Sequence, residues 1–222
     1  SDGVVGYNGW EHFKDQPWSF PLGKLEGYQY PTTTNIGLTD SVPIMAVLFK
    51  LLHPIFSDVD YHFYGIWLCL SFVLQIYFGY RLLQALNVKQ PVLLVIGAAL
   101  FLLSPVFLHR FSHPSLSIHW AILAAFWLYF DAGIAFQKKI KGYFALSAIM
   151  AWTHPYAAAM LIGLTVTLLA KIWIIEKRLT WKSAVGLCLG NIALVVTLWW
   201  IMGYFNSGSG LSTDNFGFYS AN

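Results

Sequence analysis

The sequence predicts an all-α fold, a polytopic transmembrane helical bundle with a long outer loop bearing short interfacial helices. Three observations carry the prediction. Of the 222 residues, 57% are hydrophobic and only 10% charged, against about 25% charged in an ordinary soluble domain. The apolar residues fall in runs long enough to cross a hydrocarbon layer of about 30 Å, which takes roughly 20 helical residues. No alternating barrel pattern is present, so backbone groups in lipid must be bonded within helices.

The first loop, residues 1–59, is polar, aromatic and turn-rich, with Pro17, Pro21 and Pro31. Two short helices are expected in it, one near Gly9 to Asp15. The other starts at Thr39-Asp40-Ser41, where a side-chain oxygen caps the first turn and Pro43 suits it, and runs to about His53 before Pro54. Short for a span and carrying Lys50, this helix suits the membrane interface. The bundle, residues 60–205, is expected to hold six segments: 61–84, 91–108, 116–137, 142–153, 155–176 and 182–204. The fourth is about 18 Å long at 1.5 Å per residue, so it ends below the surface or lines a cavity. A single helix over 142–176 would be roughly 50 Å long, more than the bilayer core, so a break is expected at Thr153-His154-Pro155. Residues 206–222 begin a further outer loop. Because the segment opens at Ser1 without a signal peptide and stops at Asn222 inside a polar aromatic stretch, a preceding transmembrane helix and a C-terminal part are expected outside it.

Charge sets the expected orientation. With the first loop outside, Arg81, Lys89, Lys138, Lys139, Lys141, Lys171, Lys177, Arg178 and Lys182 fall at cytoplasmic ends, nine of the thirteen basic residues. All seven histidines and eight of the ten acids go outward. A net charge of +3 is too small to suggest nucleic acid. Cys69 and Cys188 lie in apolar runs, where a thiol acts as a small hydrophobe.

The residues that could carry chemistry lie mostly at the outer side. Asp2, just after the missing helix, could accept a proton from a hydroxyl or ligate a metal, or could simply cap a helix end. Asp40 reads as a helix N-cap or as a second acid facing the same cavity. In Leu108-His109-Arg110-Phe111-Ser112-His113-Pro114 a permanent cation and two imidazoles sit at one mouth, able to dock a lipid phosphate; an interfacial arginine snorkelling to headgroups is the other reading. His119 and His154 are further candidates for lining a cavity, since ionisable groups at membrane depth are functional candidates by default, with a hydrogen-bonded core histidine as the other reading; Glu11, His12 and Tyr156 are candidates for the same cavity. His109 and His113 are four apart, yet Pro114 spoils a helical metal pair. No P-loop, GxGxxG or CxxC is present.

These residues resemble a family of bacterial multi-pass membrane proteins of unassigned substrate related to the GT-C glycosyltransferases. The resemblance rests on Asp2 before Gly9-Trp10, on Pro17-Trp18-Ser19-Phe20-Pro21-Leu22-Gly23, and on Thr39-Asp40-Ser41-Val42-Pro43. Ser104-Pro105 with Arg110 and His113, His119-Trp120, Thr153-His154-Pro155-Tyr156 and Gly217-Phe218-Tyr219-Ser220 add to it. It implies a GT-C-like bundle in the bacterial inner membrane, active on the extracytoplasmic face. The implied reaction moves a sugar from a polyprenyl-phosphate donor to a glycan or lipid acceptor, with inversion. It further implies that Asp2 is the catalytic base and Asp40 a second acid, with Arg110, His109 and His113 on the donor phosphate. Asp2 is followed by Gly3-Val4-Val5 rather than a second acid, which leaves a divalent metal open. A lipid or glycan flippase is the alternative, and an acyltransferase using His154 or His119 ranks below it.

Overall fold

The computed structural model describes residues 2–28, 34–55 and 61–205, without the side chains of Asp2, Gly3, Phe111 and Ser112. Asp58, Asp60 and the closing 206–222 loop lie outside the described residues. The fold is helical. Its main elements are α1 (Asp2–Lys14), α2 (Pro43–Leu52), α3 (Tyr64–Ala85), α4 (Pro91–Leu102), α5 (Pro105–Leu108), α6 (His119–Phe130), α7 (Phe136–Ala151), α8 (Pro155–Ala170) and α9 (Trp181–Met202). A two-residue antiparallel pair, β1 (Lys24–Leu25) with β2 (Thr34–Asn35), closes the first loop.

Among the described residues, three helices are long and apolar enough to cross a membrane: Tyr64–Ala85, Trp181–Met202, and α8 extended through a π-helical turn to Ile175. The second and third expected segments are shorter. The α4 helix stops at Leu102 because Ser104 precedes Pro105 and takes an extended ψ of 124°, which the proline ring favours. The α6 helix stops at Phe130, where Asp131 Oδ1 accepts from Gly133 N at 2.9 Å and turns the chain. The α7 helix starts at Phe136, earlier than expected, because its lysines join the helix. Nζ of Lys139 and of Lys171 donate to the Tyr129 carbonyl at 3.3 and 2.8 Å, serving one of the orphan oxygens at the α6 C-terminus. The expected break is present. His154 is extended (φ −159°, ψ 128°), accepts from Tyr156 N through its own ring, and hands the chain to Pro155 at the first turn of α8.

The first loop is seated on one end of the helices. Leu22 N and Gly23 N donate to Ile201 O and Met202 O at 2.9 and 3.1 Å, and Ile44 N donates to Trp152 O at 2.6 Å. Trp10, fully buried, donates through Nε1 to Tyr61 O, and Trp67 Nε1 donates to Pro114 O at 2.7 Å. Lys50 does not reach a headgroup layer. It is 5% exposed, donates to Phe13 O at 2.7 Å, and lies 3.9 and 4.9 Å from the Phe13 and Trp18 rings. Farther along, α7, α8 and α9 meet at a buried polar node, where Asn191 Nδ2 donates to Ser147 Oγ and Thr165 Oγ1 at 3.2 and 3.1 Å.

Candidate functional site: a carboxylate, an imidazole and a hydroxyl under the first loop

The site starts from a backbone that few residues tolerate. Asp40 has φ +60° and Val42, β-branched, has φ +46°, both in the left-handed region. This differs from the expected cap. The residue before α2 is Val42, with no side-chain cap bond, while the Asp40 and Ser41 side chains turn elsewhere. Ser41 Oγ donates to Gly6 O of α1 at 2.6 Å and shares a 2.6 Å bond with Thr39 Oγ1. Helix α1 approaches so closely that a Cβ on Gly9 would stand 2.4 Å from Thr39 Oγ1.

Turned out of the helix, the Asp40 carboxylate meets the segment between α5 and α6. Ser115 Oγ donates to its Oδ1 in a short hydrogen bond, and His113 Nδ1 stands 3.6 Å from its Oδ2. Pro114 between the two partners fixes φ and helps hold both toward Asp40. The Arg110 carbonyl accepts from His113 N at 2.9 Å, which puts Arg110 in the turn before His113, and its guanidinium lies within electrostatic reach of His119. It forms no ion pair with a described carboxylate. Around the group stand Tyr64, whose buried hydroxyl faces Gly6 and lies within electrostatic reach of both Asp40 and Glu11, and Glu11 itself. Glu11 pairs with Lys14 through Oε2 at 2.7 Å and keeps Oε1 buried without a partner.

The sequence-based candidates therefore divide. Asp40 and His113 come together, with Arg110 in the turn before His113 and exposed His109 next to Arg110. Asp2 begins α1, but its side chain lies outside the described residues. His12 is engaged by the Glu26 carbonyl at 2.6 Å and stacks near Tyr28, and so belongs to the loop's own packing. His119 opens α6 edge-on to Phe107 with Nδ1 buried and without a partner. His154 serves the α8 N-terminus beside exposed Tyr156. The sequence does not single out Ser115, and it marks Tyr64 only as one of the aromatics near the outer boundary. The only signal for Ser115 was its place directly after His113-Pro114. Among the described residues no three His, Cys, Asp or Glu side chains lie close enough together to hold a metal ion, and the Asp2 side chain is outside that set.

Together these features define, among the described residues, a helical fold with three membrane-length apolar helices and an acid–imidazole–hydroxyl group beneath the first loop. The chain belongs to the family described as Domain of unknown function (DUF6311), which it matches over residues 1–222. Neither a curated protein nor a solved structure matches it.

Proposed function

We propose that this chain is the core of an integral membrane glycosyltransferase that moves a sugar from a polyprenyl-phosphate donor to a glycan or lipid acceptor. The setting is the outer face of the bacterial inner membrane. The observation that carries the reading is the meeting of Asp40 with His113 and Ser115 one turn from an arginine without a described carboxylate partner. Arg110 grips the leaving phosphate, and His113, oriented by Asp40, adds a donor to the same oxygens. The acceptor hydroxyl oxygen attacks the anomeric carbon as the bond from that carbon to the phosphate oxygen breaks. The electron pair leaves with the lipid phosphate, and the hydroxyl proton passes to a carboxylate, assigned by the resemblance to Asp2. The GT-C-like layout, a first loop with short helices seated on a helical bundle, is offered as analogy of architecture.

The test is mass spectrometry of lipid-linked sugars and envelope glycans in cells with and without the full-length gene, complemented by parent or Asp40→Asn. Loss of the gene should remove one glycan linkage and accumulate its lipid-linked donor. Asp40→Asn should insert normally and restore little of it, a loss on the order of 10²-fold or more. Unchanged glycans without the gene, or full restoration by Asp40→Asn, would reject the reading.

A further inference from the structure

A second polar site lies at the opposite, lysine-rich end, between the C-terminus of α3 and the α6–α7 turn. It is a cavity of about 310 Å³ lined by Arg81, Gln84, Asn87, Phe130, Asp131 and Gly133. Arg81 has donors to spare. Its Nε is buried without a partner, its NH1 only reaches Tyr77 Oη at 3.5 Å, and its NH2 makes a long ion pair with Asp131 Oδ2, at 3.9 Å and so beyond hydrogen-bond length. The guanidinium is held in place 4.7 Å over the Trp127 ring. Asp131 is fixed just as firmly, by Trp127 Nε1 on Oδ2 at 3.0 Å and Gly133 N on Oδ1 at 2.9 Å. Each of its oxygens still has a lone pair to offer.

The cavity thus presents a fixed planar cation and a fixed carboxylate whose charges sum to zero, beside two amide side chains. A purely anionic ligand would satisfy Arg81 and be repelled by Asp131. A ligand carrying both a phosphate and an ammonium with N–H donors satisfies both. We propose that this cavity binds the phosphoethanolamine headgroup of a membrane lipid, with the phosphate on Arg81 and the ammonium on Asp131. The inference rests on the membrane embedding of the proposed function, with the lysine-rich end at headgroup level, and not on sugar transfer.

The test is native mass spectrometry of the full chain in detergent with equimolar dioleoyl phosphatidylethanolamine, phosphatidylglycerol and phosphatidylcholine, after monodisperse elution has shown each variant folded. The ethanolamine lipid should be retained several-fold over both others. Arg81→Gln should abolish that retention, and Asp131→Asn should abolish the preference over phosphatidylglycerol. Ala132→Phe, which fills the cavity without changing charge, should lower retention, whereas Lys177→Gln at the same end should not. Best retention of phosphatidylglycerol, lowered equally by Arg81→Gln and Lys177→Gln, would mean diffuse attraction to cations and overturn the site; equal retention of all three lipids would do the same. Release of the chain from membranes by alkaline carbonate would remove the membrane reading itself, whereas an embedded chain without ethanolamine preference removes this site alone.

Discussion

At the scale of single residues, Asp40 owes its place to one backbone angle. The cap position of α2 belongs to Val42, two residues on, and at φ +60° the Asp40 carboxylate turns to Ser115 and His113. Ser115 is 1% exposed, so Ser115→Ala removes one buried donor from the Asp40 carboxylate. The expected cost is about 1–3 kcal/mol, seen as a lower melting temperature in detergent, with a smaller loss of sugar transfer than Asp40→Asn. Lys50 gives a second prediction. Burial pushes its ammonium down from 10.5 to about 8, with Asp15 opposing the change. Between those values the unfolded chain holds a proton that the folded chain does not, so folded stability should rise with pH from about 8 to 10.5 and carry its full penalty below 8. The measurement is the melting temperature of the parent minus that of Lys50→Met across pH 7 to 10.5, the upper limit being the lysine's ordinary value. A difference that stays flat would show that Lys50 keeps its charge. The sequence exposes the residue types of Asp40 and His113 but not their meeting, because a left-handed aspartate and a serine in the single helical turn Pro114–Leu116 leave no periodic trace.

At the scale of elements, what was readable was apolar length, and what was not was where polar turns cut it. The α3, α8 and α9 helices emerged close to their expected bounds because nothing inside them competes with the helix. The α4 and α6 segments came out shorter: Ser104-Pro105 and the Asp131–Gly133 turn end helices that hydropathy alone would carry on. The β1–β2 pair was missed, since two residues per strand give no alternation to detect. Between helices, the Asn191 node ties α7, α8 and α9 together inside an apolar setting. Asn191→Leu should weaken that packing by about 0.6 kcal/mol per lost hydrogen bond, a typical value in membrane helices. Chemical unfolding in detergent reads this, and a variant as stable as the parent would mean the node contributes nothing. At the loop end, Gly9→Leu places a side chain where Thr39 Oγ1 stands 2.4 Å from the Cβ, so α1 must lift from the Thr39–Ser41 segment. Faster proteolysis within residues 1–55, with the later helices still protected, is the expected result.

At the scale of the whole molecule, the two ends differ in chemistry in a way a bilayer would sort. One end gathers Arg81, Lys139, Lys171 and Arg178, with Asp131 and Glu176 among them; the other carries the first loop with Glu11, Asp15, Glu26, Asp40 and the histidines. Short loops rich in lysine and arginine stay on the cytoplasmic side, because carrying each cation outward opposes both the insertion machinery and the membrane potential. The α3 and α8 helices both run toward the lysine-rich end, with Arg81 and Lys171 near their C-termini, so in a bilayer the shorter α4, α6 and α7 would have to make the three passages between them. At 12 residues, α4 and α6 are each about 18 Å long, so their polar junctions must lie inside the bundle, packed against α3, rather than facing lipid. Orientation and embedding are therefore one prediction. With Cys69 and Cys188 changed to serine, a cysteine at His62 should react with a membrane-impermeant maleimide in intact spheroplasts, and a cysteine at Lys177 only after lysis. The reverse pattern would put the Asp40 site on the cytoplasmic face and remove the outer-leaflet donor chemistry. Labelling of both in intact cells would leave Tyr64–Ala85, Pro155–Ile175 and Trp181–Met202 as apolar helices that cross nothing.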